Sequence, residues 1–545
     1  MGRTKARKPK TGNERIALIR GYQPTVVDET MAELLAIVDR AMTGALTKQE
    51  ADRLRETIAT NAFIQAELRA KNASIRRIRD LIFGSKTEKT DQVCPPEPSE
   101  ATSKEDAEKP SPKGPRKPGH GRRAASTLPA SETQQISHPT YGPGDDCPEC
   151  PKGRLYPLAP RVLVRIAAVS PLYVSRTELE DLRCNACGVL VRTPVPPEIG
   201  EAKYDASVPS FLGLLRYGAG LPFNRFRGLQ AAFGMEMPAS TQWDLVLKAA
   251  GLLEPAFDEL LNLAAQGQLI HQDDTTMKLL DRGDLFQKAQ GRKAIYTSGL
   301  VSHVGGHRIA LFLTGNRHAG ENLADLLKRR QAALDAPIQM CDALAANTKG
   351  DFETLLAHCL AHARRKFVEV VEDFPEECRH LLETLKGIYI HDSATKGMAP
   401  PERLAYHQQH SGPPMKALRE WLVDQIEGRK AEPNSGLGKA IAYTLKHWEP
   451  LTLFLREQGA PLDNNLCERA LKRAILHRKN SLFYRTQRGA RVGDLFMSLI
   501  HTAELNGIQP FHYLTELQRN HALAEENPEE WLPWNYQQTL DSLPG

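Results

Sequence analysis

Across 545 residues the chain has no apolar run long enough to span a bilayer. Its basic opening, MGRTKARKPKTGNER, is not followed by an apolar stretch, so no secretory leader is expected. Cysteine is scarce. Nine residues in this length exclude a disulfide scaffold, and four of them fall in two pairs at metal-ligating spacing, which fits a reducing cytoplasm. Acids are missing where bases crowd: after Glu468, eight Arg or Lys residues pass before the next acid, Asp494. A surface helix usually mixes its signs. This one is arranged for a partner with many negative charges that also needs one carboxylate beside it. The net charge of +5 and pI of about 8.6 are only mildly basic, so the placement of charge matters more than its sum.

The length predicts three or four units. Residues 28–84 read as helical. Leu54, Asn61, Leu68, Ile75 and Ile82 recur every seven residues, with Ala51, Ile58, Gln65, Asn72 and Arg79 as a partner series. This imperfect heptad fits either a self-associating coiled coil or an ordinary amphipathic helix. Residues 85–140 are rich in Pro, Gly, Ser and Lys, and KPSPKGPRKPGHGRR carries six basic residues and no acid. Such a segment cannot repay its ordering entropy, so a disordered basic linker is expected.

Within 141–195, Cys147/Cys150 and Cys184/Cys187 form two C-x-x-C pairs around a strand-like stretch. Each pair lets two thiolates hold one ion, and two pairs complete a closed tetrahedral zinc site. Residues 200–264 read as all-helical. LPFNRFRGLQAAFGMEMPASTQWDLVLKAA has a helix, a turn at Gly234 and a second helix capped by Ser240 or Thr241. A DNA-binding helix-turn-helix has this layout, and so does a packed helical hairpin.

From 265 to 500 the periods mix. LIHQDD and PIQMCD read as strands ending in acids, AIYTSGLVS and HRIALFLTG as neighbouring strands joined by a glycine turn, and ENLADLLKRRQAAL as a helix. That pattern predicts a mixed α/β domain. Residues 351–455 read as nearly all helical, Pro510–Arg519 as a final short helix, and 501–545 as a C-terminal segment. In an α/β domain the strand ends gather in one crevice. Asp273, Asp342 and Glu468, the last at the start of the helix NLCERALKRAIL, can converge there. Clustered carboxylates repel unless cations sit among them, and oxygen ligands suit magnesium or manganese. Two such ions activate a water and stabilise the leaving oxygen of a phosphodiester.

In order, IHQDDTTMKLL, QMCDALAANT, HCLAHARRKF, DNNLCERALKRAILHRKNSLF and SLIHTAELNG before a Pro-x-x-Tyr-Leu segment resemble the insertion-sequence-66 transposase family of bacteria. The resemblance extends to LIFGSKTEK, the GHGRR linker and the paired cysteines. It implies a ribonuclease-H-like catalytic domain of the Asp-Asp-Glu kind that cuts the ends of its element and joins the 3′ ends to target DNA. The catalytic acids then fall on Asp273, Asp342 and Glu468, holding two Mg(2+) or Mn(2+) ions. Asp274 stands where glutamate is commoner, and Ala343 and Leu344 where many members have Gly-Tyr. The segment of about 126 residues between Asp342 and Glu468 requires a helical insertion, expected near 380–450.

In the helix of HCLAHARRKF, His362, Arg364, Arg365 and Lys366 are expected to face DNA, with a core histidine as the alternative reading of His362. Arg469, Lys472, Arg473, Arg478, Lys479, Arg485 and Arg488 are expected to hold its phosphates, with pairing of Arg469 and Arg473 to the site's acids as the alternative. Cys359, His358 and His362 have ligand side chains, but no companion pair lies near them in sequence. The implied partners are double-stranded DNA at transposon ends and at the target, further copies of the chain in a homo-oligomer, and small accessory proteins from the same element. The implied place is the bacterial cytoplasm, on the nucleoid. The rival functions are a catalytically inactive zinc-containing DNA-binding regulator and a metal-dependent nuclease without strand transfer.

Overall fold

The computed structural model describes residues 202–281, 294–348 and 352–543, with 139–146, 148, 153–157, 171–183, 185, 190–196 and the isolated positions 47, 49, 52 and 54. Nearly all of the expected coiled coil and of the basic linker, and Cys147, Cys150, Cys184 and Cys187, lie outside the described residues. Around those cysteine positions a short antiparallel pair is present, β1 (Asp181–Arg183) with β2 (Leu190–Arg192), and an isolated bridge joins Asp146 to Arg154.

The helices come first in the main body. α1 (Ser207–Gly213) continues into a π-turn, α2 (Phe223–Ala232) follows, and α3 (Ala239–Ala264) runs for 26 residues. Gly234 takes φ +81° in the turn between α2 and α3, a conformation that favours glycine. The cap is not Ser240 or Thr241. Pro238 occupies the N-cap without a side-chain hydrogen bond, and both hydroxyl residues fall inside the first turn. Pro238 cannot donate and has the extended backbone a helix start needs, so it displaces the hydroxyl cap. α3 buries Val246, Leu253, Phe257 and Leu260 in the core it shares with the sheet.

The central sheet has five strands: β3 (Leu269–Met277), β5 (Ile295–Val304), β6 (His307–Gly315), β7 (Ile338–Cys341) and β8 (Leu355–His358), in the order β6-β5-β3-β7-β8. β5 runs antiparallel to both β3 and β6, while β3, β7 and β8 are parallel. The tight glycine turn is Gly305–Gly306, both at positive φ. Three expectations change. β3 runs on to Met277, so its acids sit inside the strand. α4 (Ala319–Leu327) stops at Leu327 rather than continuing through RRQAAL, where Arg330 instead donates to the carbonyls of Ala265 and Gly267. The start of the nearly all-helical stretch holds strand β8, whose backbone pairs with β7.

α5 (Leu360–Val368) follows β8. The helical insertion then comprises α6 (Pro375–Ala394), α7 (Pro400–His410), α8 (Gly412–Glu427) and α9 (Gly436–Lys446), built around Leu381, Leu385, Met415, Leu418 and Ile441. α10 (Asn465–Ser481) returns across the sheet. A short parallel pair, β4 (Leu279–Asp281) with β9 (Tyr484–Thr486), leads into α11 (Gln487–Leu505). α12 (Pro510–Arg519) has the expected bounds but is not final, since helical turns at His521–Glu526 and Tyr536–Ser542 follow.

The outer edge of β6 is covered by α11. Asp494, Ser498, Thr502 and Asn506 stand four residues apart. They accept hydrogen bonds from the backbone N–H groups of Thr314, Phe312, Ala310 and Arg308, at 2.6, 2.9, 3.0 and 3.2 Å. Four helical residues rise about 6.0 Å. Two strand residues rise about 6.8 Å, so the two periods stay in step over this length. An edge strand that would otherwise offer unpaired donors is closed by side chains. Among the described residues, no helix is long and apolar enough to cross a membrane.

Candidate active site

Asp273 and Asp342 are placed by strand register. β3 and β7 pair in parallel with His271 opposite Met340. Two residues beyond that last pair stand Asp273, still within β3, and Asp342, just past the end of β7. Asp342 leaves β7 in a turn: its Oδ1 accepts from the Leu344 N–H at 3.3 Å and from Asn347 Nδ2. The buried Asn347 is held in turn, its carbonyl accepting from Gln272 (2.5 Å) and Gln339 (2.7 Å).

Glu468 is brought in by α10. On β5, Gly299 lies directly opposite Asp273. A Cβ there would come within 2.9 Å of the Leu471 side chain and 3.4 Å of Cys467 Sγ, so only glycine lets α10 lie this close. Cys467 donates to the Gly299 carbonyl at 3.2 Å, and Glu468 is the next residue, in the helix's first turn.

Asn464 fixes the start of α10. Its Nδ2 donates to the Gln272 carbonyl at 2.8 Å, so its Oδ1 is the acceptor facing His271 Nδ1 at 3.1 Å, and that histidine carries its proton on Nδ1. Burial, with His303 alongside, pushes His271 down to about 3 and keeps it neutral. The backbone N–H of Asn464 also donates to Cys359 Sγ at 3.2 Å, tying α10 to the start of α5.

Burial pushes the Asp273 carboxyl up to about 7, and the negative charges of Asp342, Glu468 and Asp274 add to the rise, against a hydrogen bond from the Asp274 N–H. Asp274 serves a different purpose. Its Oδ1 accepts from Ser298 Oγ at 2.6 Å, and its Oδ2 faces the Ala319 N–H and His318 Nδ1 at 2.9 Å each, holding the first turn of α4.

The three carboxylates do not close on one another within 4.8 Å; among the described residues the group that does is Cys359, His362 and Glu468. Glu468 Oε1 is turned toward His362 Nδ1 at 3.8 Å, and that oxygen is buried without a hydrogen-bond partner. Hard oxygen donors, one of them unsatisfied, fit a divalent cation. Sequence reasoning noticed Cys359 and His362 but had no means of pairing them with a glutamate more than a hundred residues away.

The basic residues divide. Arg469, Lys472 and Lys479 lie exposed on one face of α10, and Arg485 and Arg488 are exposed just beyond it. Arg473 pairs with Glu504, not with an acid of the site. Arg478 donates to Thr275 Oγ1 at 3.0 Å and Thr276 Oγ1 at 2.8 Å, bracing β3. Lys366 lies over the Tyr443 ring at 4.6 Å. Arg364 and Arg365 are half-buried on α5.

These features define an α/β domain with acids along its central strands and a basic helix laid over them. Residues 202–492 match the family described as "Transposase IS66 family", and the chain belongs to that family. Its activity is therefore that of a DNA-acting transposase, a class that generally uses divalent metals. The chain is 28% identical over 388 residues to the uncharacterized protein y4jD of Sinorhizobium fredii (strain NBRC 101917 / NGR234), covering 67% of this chain and 73% of that one. It is 27% identical over 430 residues to the uncharacterized protein y4hP of the same organism, covering 72% and 74%.

Proposed function

We propose that the chain binds the ends of an insertion sequence, cleaves phosphodiester bonds there and joins the 3′ ends to target DNA, in a ribonuclease-H-like domain with Asp273, Asp342 and Glu468 as the metal-binding acids. The observation that carries this reading is the position of Asp273 in β3 and of Asp342 just past the end of the parallel strand β7, together with the delivery of Glu468 over Gly299. The strand order, with only the second strand reversed, supports the domain assignment.

Bound between these acids, Mg(2+) or Mn(2+) would supply charge for an attacking oxygen and for a leaving 3′ oxygen. The protein's part is to hold Asp273, Asp342 and Glu468 in place through Asn347, Gly299 and Asn464. Arg469, Lys472 and Lys479 would seat backbone phosphates, which position a duplex without reading its sequence. Water serves as nucleophile for cutting and the freed 3′ hydroxyl for joining, so no Ser, Cys or Tyr nucleophile is needed. In the same reading Cys147, Cys150, Cys184 and Cys187 hold one structural zinc, and the chain works as a homo-oligomer.

The test is an end-labelled DNA carrying the element's terminus, incubated with a target plasmid. The expected result is nicked ends and label joined to plasmid, both dependent on divalent cation. Nicking without joined label would favour a nuclease, and binding with neither product would favour a DNA-binding regulator.

A further inference from the structure

Beside the acids lies a constellation of different chemistry. Cys359 is the N-cap of α5, His362 sits in that helix's first turn, and Glu468 comes from the first turn of α10. One ligand atom from each lies within 4.8 Å of the others. His362 Nδ1 and Glu468 Oε1 face each other at 3.8 Å, too far for a hydrogen bond. Both atoms are shut off from solvent without a hydrogen-bond partner. Two orphaned polar atoms aimed at one point are costly unless something between them satisfies both. Cys359 Sγ, on a residue 1% exposed, completes the third side.

We propose that Cys359, His362 and Glu468 form a binding site for a borderline-soft divalent ion of the zinc class, distinct in donor chemistry from the all-carboxylate pair and joined to it through Glu468. The C-x-x-H spacing lets one helix start offer sulfur and nitrogen together, and the glutamate closes the set from a second helix. Thiolate and imidazole select zinc over magnesium, which demands oxygen ligands. Three protein ligands leave a fourth position open, unlike a closed structural site. On binding, the Cys359 thiol releases its proton to solvent and a metal–sulfur bond forms. His362 binds through Nδ1 with its proton on Nε2, and Glu468 binds through Oε1. Thiolate and carboxylate together neutralise the ion's two charges.

The consequence rests on the proposed catalytic role of Glu468. An ion in this site holds the glutamate toward α5, away from Asp273 and Asp342, so zinc acts as a brake on magnesium-dependent cleavage.

The experiment uses the full chain, stripped with chelator and reloaded with zinc in excess magnesium. Zinc per chain is counted for wild type, Cys359→Ser, His362→Gln and Glu468→Gln, with circular dichroism checking the fold. Each variant is expected to hold one equivalent less than wild type. With cobalt in place of zinc, Cys359→Ser is expected to lose thiolate-to-cobalt charge-transfer intensity. If buried Cys359→Ser fails to fold, the half-buried His362→Gln carries the comparison. Equal zinc content in folded variants would overturn the site, and retention by Glu468→Gln alone would overturn the sharing. Zinc that fills the site without slowing cleavage would overturn the brake. A Glu468→Gln chain that loses zinc yet cleaves normally would leave the zinc site standing and sink the catalytic reading instead.

Discussion

At the scale of single residues, the arrangement of the acids depends on Asn464. Its three hydrogen bonds reach β3 through Gln272 and His271, and α5 through Cys359. Asn464→Ala leaves the Gln272 carbonyl and the buried His271 Nδ1–H without partners, at a cost of about 1–3 kcal/mol. It also frees the helix start that carries Glu468, and a displacement of about 1 Å lowers turnover on the order of a hundredfold. Chemical unfolding and the cleavage assay should therefore both respond, while DNA binding stays near wild type. Unchanged cleavage in a destabilised variant would reduce Asn464 to a packing role. In sequence, Asn464 was only the residue before the helix NLCERALKRAIL. Its cross-strand role was illegible because its partners lie some 190 residues upstream. The choice of Asp273 over Asp274 came only from resemblance. The structure separates the two physically, since Asp274 is committed to Ser298 and the start of α4.

At the scale of elements, β6 was legible as a strand, but α11 and its union with that strand were not. Asp494, Ser498, Thr502 and the C-cap Asn506 recur every four positions along α11, a polar stripe that sequence alone would assign to solvent. Instead they close a sheet edge. Ser498→Ala removes the acceptor for the buried Phe312 N–H, and a loss of about 1–3 kcal/mol is expected in denaturant titration; a loss within experimental error would mean that this edge is satisfied otherwise.

Asp494 makes the ladder pH-sensitive. Burial pushes its carboxyl up to about 8 from an ordinary 3.8, outweighing the two hydrogen bonds from Thr314. The folded state keeps the proton that the unfolded state gives up. This group's contribution is thus fully present below about pH 4 and is lost as pH rises to about 8. Thermal melts across that range should show wild type losing stability relative to Asp494→Asn. Parallel curves would contradict the burial argument. Two other differences have local reasons: β8 was missed because it is only four residues long and merges in composition with the helix after it, and α4 ends before Arg330, which serves backbone carbonyls outside the helix.

At the scale of the whole molecule, ordered motifs made the family and the mixed α/β domain legible, and the insertion between β8 and α10 follows from the long separation of Asp342 and Glu468. What the sequence could not supply was geometry: the strand pairing that places two aspartates, the glycine that admits α10, and the turn of Glu468 toward Cys359 and His362. In the proposed function Asp273, Asp342 and Glu468 act together on a phosphodiester. The most direct measurement is cleavage of a labelled element end in magnesium by Asp273→Asn, Asp342→Asn and Glu468→Gln, with DNA binding by the same proteins measured in calcium. Each substitution is expected to nearly abolish cutting while binding persists, because the exposed bases of α10 are untouched. Normal cutting by any one of the three folded variants would contradict that joint action.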